Sequence, residues 1–357
     1  MAKKKGGKSR TRAIPRAIDL FSGCGGLTLG LKLAGFKVLS AVEIDPLAVE
    51  TYKANHNEVL VKQKNIRKLS PRQLRHELKI EQGELDLLAG CPPCQGFSTL
   101  RTRNGAKRNN DSRNKLVDEM LRFAREFKPK AIMMENVPRL AEHKPFRELC
   151  KGLRRAGYKV TFEVKDAARY GTPQRRRRLI LLAGRGFEIP FAPESNRLHT
   201  VRGAIGRLRE PGKIRDALHN LPVKKRAARV EKLIRDIPKN GGSRSDLPAN
   251  RQLKCHKKSD GFKDIYGRMA WHEVAPTITS GCFNPSKGRF LHPVRNRAIT
   301  MREAALLQTF PRRYKFPVVA GKEAIALMIG NALPPEFIRR HALEIRRALK
   351  AGKVQRG

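Results

Sequence analysis

Acidic residues are in short supply. Only 32 Asp and Glu stand against 77 Lys and Arg, a formal net charge of +45 over 357 residues. An excess that large strains a compact fold unless it is spread over faces that meet a polyanion, so nucleic acid is the expected partner. Long apolar runs are missing too. None approaches membrane-spanning length, and no apolar stretch follows the basic start as a signal peptide requires, so no membrane role is expected. The six cysteines, Cys24, Cys91, Cys94, Cys150, Cys255 and Cys282, form no paired framework, which points to a reducing, cytoplasmic setting. Cys91-Pro-Pro-Cys94 matches C-x-x-C, but no second pair or His cluster at ligand spacing accompanies it, so no metal is expected. No G-x-G-x-x-G follows the first strand, which excludes a Rossmann-type oxidoreductase. Internal repeats are absent. The hydrophobic share of 39% still supports a true core and excludes a disordered chain.

What is present is alternation. Ala17–Phe21, Lys37–Glu43, Val59–Val61, Leu85–Ala89, Ala131–Met134, Tyr158–Val164 and Leu179–Leu182 read as strands. Between them Leu27–Phe36, Pro46–Asn55, Asn114–Phe127 and Phe146–Ala156 read as helices, the third with Leu116, Met120, Phe123 and Phe127 on one face. Strands alternating with helices predict an α/β fold with a doubly wound, mostly parallel sheet. Residues 1–13 form a basic, flexible tail, and residues 14–186 the main domain. From 187 to 296 periodicity fades and Pro, Gly, Arg and Lys accumulate, which predicts a smaller, irregular domain. Helical pattern returns in 297–350, at Thr300–Phe310, Glu323–Leu327 and Phe337–Leu349, as a segment closing the fold.

Chemistry gathers at the predicted strand ends. Ser22-Gly23-Cys24-Gly25-Gly26 follows a strand and opens a helix, where glycines let backbone approach a ligand and the helix N-terminus favours a negative group. Glu43 ends the second strand, where an acid accepts both ribose hydroxyls of a nucleoside cofactor. Cys94, in Gly90-Cys91-Pro92-Pro93-Cys94-Gln95-Gly96-Phe97-Ser98, follows the fourth strand. Thiols attack as thiolates and need a cationic neighbour, which the run Gln174 to Arg178 supplies, with alternate arginines pointing one way. Glu135 ends the fifth strand and, if burial keeps it protonated, donates to a ring nitrogen. A thiol and a carboxyl at neighbouring strand ends can attack and protonate an electron-poor ring, and cytosine is such a ring.

Taken in order, these stretches resemble the bacterial-type DNA (cytosine-5) methyltransferase family from Ile18 to about Ile338. Asp19 to Gly26 resembles the S-adenosylmethionine loop, Val42 to Asp45 the ribose-binding segment, Pro93-Cys94-Gln95 the nucleophile loop, and Glu135-Asn136-Val137 the Glu-Asn-Val element. Gln174, Arg176 and Arg178 match Gln-x-Arg-x-Arg. Arg302 to Pro311 resembles the segment that anchors the small domain, and Ile329 to Pro335 the C-terminal element that returns to the cofactor. One departure stands out: Asn65 occupies the place of the usual acid that contacts the adenine amino group.

The resemblance implies a Rossmann-like, S-adenosylmethionine-dependent methyltransferase sheet with a smaller target-recognition domain. It implies methylation at carbon 5 of a flipped cytosine in a specific double-stranded DNA sequence, through a covalent Cys94 adduct. Glu135, Arg176 and Arg178 complete the catalytic set. Phe21, Ser22, Gly23, Gly25, Gly26, Leu27, Glu43, Ile44, Asn65, Ile66, Asn331 and Ala332 are the implied cofactor contacts. Pro93, Gln95, Ser98, Asn136, Gln174 and Thr277 are the implied substrate contacts. The basic loop with Arg101, Arg103, Lys107 and Arg108 is the implied lid. A restriction endonuclease acting on the same site is a further implied partner, and a monomer in the cytoplasm, associated with the nucleoid, suits the asymmetric substrate. A transfer RNA cytosine-5 methyltransferase and an inactive DNA-binding regulator on the same fold are the alternatives. The long irregular segment favours DNA, and intact Cys94, Glu135 and Arg178 argue against the regulator.

Overall fold

The computed structural model describes residues 13–93, 116–223, 225–252 and 264–354. Seven strands form one sheet in the order β3-β2-β1-β4-β5-β7-β6. They are β1 Arg16–Leu20, β2 Lys37–Glu43, β3 Leu60–Gln63, β4 Leu87–Gly90, β5 Ala131–Asn136, β6 Tyr158–Asp166 and β7 Arg177–Arg185. The first five run parallel, and β7 is antiparallel to both β5 and β6. All residues of β4 and β5 are buried, as expected of central strands covered on both faces.

Side-chain alternation divides the core. On β1, Ala17 faces one apolar layer while Ile18 and Leu20 face the other. The first layer packs α1 (Gly26–Leu33) against the last helix, α10 (Pro335–Val354), through Leu27 and Leu31 on one side and Phe337, Ile338 and Ile345 on the other. The second packs α4 (Val117–Phe127) and α5 (Lys144–Arg155), whose buried Met120, Phe123, Phe127, Phe146, Leu149 and Leu153 recur at helical spacing. Local signals set helix starts. Asp45 caps α2 (Pro46–Asn55) by accepting from the Ala48 N–H, with Pro46 at its first position. Ser70 caps α3 (Pro71–Glu77), a helix that its short polar sequence did not announce.

Beyond the sheet, α6 (Val201–Ile205), α8 (Met301–Leu307) and α9 (Gly321–Asn331) share one core with Met269, Ile278 and Phe290. Cys24 and Ala48 of the sheet domain join that core. A satellite cluster of Leu233, Ile234, Ile237, Leu247 and Leu291 holds α7 (Ala228–Asp236). Ile189 and Ala192, read from sequence as the start of the small domain, are buried in the first layer of the main one. Among the described residues, no helix is long and apolar enough to cross a membrane.

Candidate active site

The chain runs β1, β2, β3 outward, then crosses back to β4. Strand order therefore reverses between β1 and β4, and a crevice opens at their carboxyl ends. Phe21, Glu43, Cys91 and Asn136 lie at or just past four such ends.

Phe21 adopts φ 61°, a left-handed conformation rare for an aromatic residue. Strain of that kind persists where surroundings enforce it and marks functional turns. It reverses the chain into Gly23 (φ 53°) and Gly25 (φ 93°) before α1 begins. Glu43 reaches over this loop: Oε2 accepts from the Gly23 N–H at 2.8 Å, and Oε1 from Ile44 and Asp45 at 2.8 and 2.9 Å. Ile44 is 60% exposed beside it. A Cβ built on Gly23 would project into open space. Beneath the loop, Asp19 is fully buried. Its Oδ2 accepts from the Thr28 hydroxyl at 2.7 Å, while its Oδ1 and the buried Ser22 Oγ have no partner among the described residues. Burial pushes the Asp19 carboxyl up to about 7, against the pull of the Thr28 bond.

Of the other residues expected at the cofactor, Asn65 accepts from the Arg67 N–H at 3.1 Å and caps a short turn. Leu27 and Ile66 are core side chains. Asn331, the last residue of α9, is exposed, and Ala332 is half-buried.

The second half of the crevice is ionic. Glu135 is 7% exposed near the end of β5, and Arg178 Nε lies 2.7 Å from its Oε1. Burial raises the Glu135 carboxyl, and the charges of Arg178 and Arg176 pull it back without cancelling the rise. The Cys91 thiol beside it is pushed well up, first by burial and then by the Glu135 charge. Asn136 donates to the Pro92 carbonyl at 2.9 Å while its Oδ1 accepts from the Val137 N–H at 2.8 Å. It thus fixes the segment leading to Cys94. Cys94, Gln95, Ser98 and the loop arginines and lysines after them lie outside the described residues; Pro93 is half-buried.

Arg176 and Arg178 face inward, and Arg175 and Arg177 outward, as strand alternation requires. The two inward arginines nevertheless do different things. Arg176 spends its guanidinium on backbone, donating to Ile278 O at 3.1 Å and Gly330 O at 2.9 Å. Gln174 is likewise buried, donating to Leu307 O at 3.1 Å and Gln308 Oε1 at 2.7 Å and accepting from the Ile278 N–H at 2.9 Å. Thr277 donates to Arg175 O at 2.7 Å. These residues stitch the irregular segment and the C-terminal return onto the sheet. Asp19, an acid inside an apolar strand, stands beneath the loop in addition to the side chains expected there.

Comparison with known proteins agrees with this geometry. The sequence profile of the family described as C-5 cytosine-specific DNA methylase matches residues 15–347. The chain is 38% identical to the type II methylase M.HgiDII of Herpetosiphon aurantiacus, over 94% of this chain and 96% of that protein. It is 36% identical to the type II methyltransferase M1.HphI of Haemophilus parahaemolyticus, over 89% and 83%. A DNA modification methyltransferase encoded within an Escherichia coli prophage superposes with a TM-score of 0.68 at 26% identity, over 94% of this chain and 99% of that one. Spodoptera frugiperda DNMT2 shares the fold, with a TM-score of 0.57 at 18% identity over 94% and 99%. The chain belongs to the C-5 cytosine-specific DNA methylases and is an enzyme that methylates carbon 5 of cytosine in DNA.

Proposed function

We propose that this methylation proceeds on a flipped cytosine in a specific duplex site, with Cys94 as nucleophile, Glu135 as the group at ring nitrogen 3, and Arg178 as the cation that orients Glu135. The observation that carries the reading is the pairing of buried Glu135 with half-buried Arg178, next to Asn136, which holds Pro92 two residues before Cys94.

S-adenosylmethionine, when bound, supplies the electrophilic methyl group that carbon 5 accepts. The residues present fit it. Asp19 Oδ1 and Ser22 Oγ are buried polar atoms awaiting a partner, Gly23 leaves open space above the loop, and Glu43 stands at the ribose position with Ile44 exposed beside it. Asn65, with one amide oxygen shared with Arg67, still has a lone pair for the adenine amino group.

On the cytosine, Cys94 Sγ forms a bond to carbon 6. Glu135, whose carboxyl burial raises, donates to nitrogen 3 in its protonated form and stabilises the charge pushed into the ring. Carbon 5 becomes nucleophilic. Once it is methylated, a water molecule takes its proton, the C–H electrons expel Cys94 as thiolate, and nitrogen 3 gives its proton back to Glu135, which restores the aromatic ring. Residues 14–186 carry this chemistry. Residues 187–296 read base edges in the major groove while their basic side chains grip phosphates. Residues 297–350 anchor the two parts. The type II names of the relatives support a cognate restriction endonuclease, and one copy of the chain suffices for the site.

Cys94→Ser tests the scheme. The variant is expected to bind S-adenosylhomocysteine as the parent does and to transfer no methyl group; full activity would sink the covalent route.

A further inference from the structure

We infer that Tyr314 and His56 are positioning residues that hold the backbone of the glycine loop, so that the segment after α8 sets cofactor affinity. The inference deepens the cofactor-site reading above and rests on it.

Tyr314 is buried, and its hydroxyl donates to the Cys24 carbonyl at 2.5 Å. His56, just past α2, places Nε2 3.1 Å from the Tyr314 hydroxyl and 3.3 Å from the Gly25 carbonyl. A carbonyl only accepts, so Nε2 carries the proton; Nδ1 is then free to accept from Lys32 Nζ at 3.4 Å. Two successive loop carbonyls are thereby held by side chains 258 residues apart. The fit is close: a Cβ on Gly25 would lie 2.7 Å from both His56 and the Tyr314 hydroxyl.

The clamp is itself anchored. Asn55 donates to Lys315 O at 2.8 Å and accepts from the Lys315 N–H at 2.9 Å, tying α2 to the residue after Tyr314. Arg302 donates to Tyr314 O at 3.0 Å and pairs with Asp216 of the irregular segment at 2.8 Å. With the Gly25 N–H engaged on Ser22 O at 3.0 Å as well, the two clamped carbonyls hold this stretch of the loop in one conformation. Releasing them frees the loop to sample other conformations, and ligand affinity falls by the fraction of competent loop.

The test is calorimetric titration of the full chain with S-adenosylhomocysteine, for the parent, Tyr314→Phe and Asn55→Ala, at a temperature where each is folded by circular dichroism. Tyr314→Phe is expected to raise Kd by roughly 5- to 10-fold, the loss of one buried hydrogen bond, with a smaller rise for Asn55→Ala. In methyl transfer, KM for the cofactor should rise while kcat stays within a factor of about two. Asn55 is partly exposed and leaves the core intact, so if Tyr314→Phe does not fold, a raised Kd in Asn55→Ala carries the inference alone. Unchanged Kd in the variants that fold, with the parent binding well, overturns the clamp and leaves the cofactor site standing. A parent that binds no S-adenosylhomocysteine overturns both.

Discussion

Arg178 and Glu135 meet at 2.7 Å because an antiparallel strand begins where a parallel one ends. In register, Glu135 pairs with Ile180 and Asn136 with Leu179, so the first residues of β7 lie at the carboxyl edge of β5. Arg178→Met should leave Glu135 buried without its cation, raising the carboxyl further and disordering it. Turnover is expected to fall by about 100-fold or more, the scale seen when a group aimed at developing charge is lost. S-adenosylhomocysteine affinity should be unchanged. Equal loss of turnover and cofactor binding would show Arg178 to be structural.

Glu135→Gln keeps the shape and can still donate from its amide, but cannot transfer a proton. A fall in turnover of roughly 100-fold, within the range for general acid groups, is expected in single-turnover assays. Parental rates would remove Glu135 from the chemistry.

The glycine loop offers a comparison of space with strain. Among the described residues, a methyl at Gly23→Ala meets no atom beyond its chain neighbours within 4 Å, yet the φ of 53° disfavours a side chain. The expected cost in stability is only about 1 kcal/mol, whereas cofactor affinity should fall by about 10-fold or more, since the added methyl projects where the ligand is proposed to lie. Unfolding in urea and titration with S-adenosylhomocysteine separate the two effects. A weaker fold with parental affinity would place the cofactor elsewhere.

Several of these relationships were legible in the sequence and others were not. Strand ends carrying Glu43, Glu135 and the glycine loop follow from apolar runs broken by glycine and acid, and β2 and α2 begin and end where periodicity and the Asp45-Pro46 start place them. Arginine alternation was also readable. What it could not reveal is that β7 runs antiparallel, which carries Arg178 to Glu135 and Arg176 to Ile278 and Gly330. The Tyr314–Cys24 contact joins residues 290 positions apart, and no local pattern encodes such a pairing. The irregular segment looked structureless because its apolar clusters gather around a buried cation and follow no repeating pattern.

That cation is Arg268. Fully buried, it donates to the carbonyls of Ile237, His292, Arg295 and Ile234 and to Asn296 Oδ1. Arg268→Met strands these acceptors and should cost about 3 kcal/mol or more. Hydrogen exchange should show the loss confined to the satellite cluster around Leu233 and Leu291. DNA methylation should fail while S-adenosylhomocysteine still binds. Uniform destabilisation of the sheet domain would contradict this separation.

Acid should unfold the protein early. Burial holds His56 and His292 down to about 4 and His341 to about 3, against 6.5 unfolded. Their stabilising contribution is complete above about pH 6.5 and is lost as pH falls through 4. Asp19 works the other way: raised to about 7 from 3.8, its contribution is complete below the lower value and lost as pH rises through the upper. Between pH 4.5 and 6 the three histidines take up protons on unfolding, and the raised carboxyls of Asp19 and Glu135 offset part of that uptake. Urea midpoints should therefore climb from pH 5 to 6, and climb more steeply in Asp19→Asn. A flat profile would contradict the assignment.

The central claim is methyl transfer to cytosine in duplex DNA. Its most direct test is incubation with labelled S-adenosylmethionine and mixed-sequence duplex DNA, followed by bisulfite sequencing. Methylated cytosines confined to one short recurring context are the expected result. Transfer to transfer RNA alone, or none to DNA with the cofactor demonstrably bound, would contradict it.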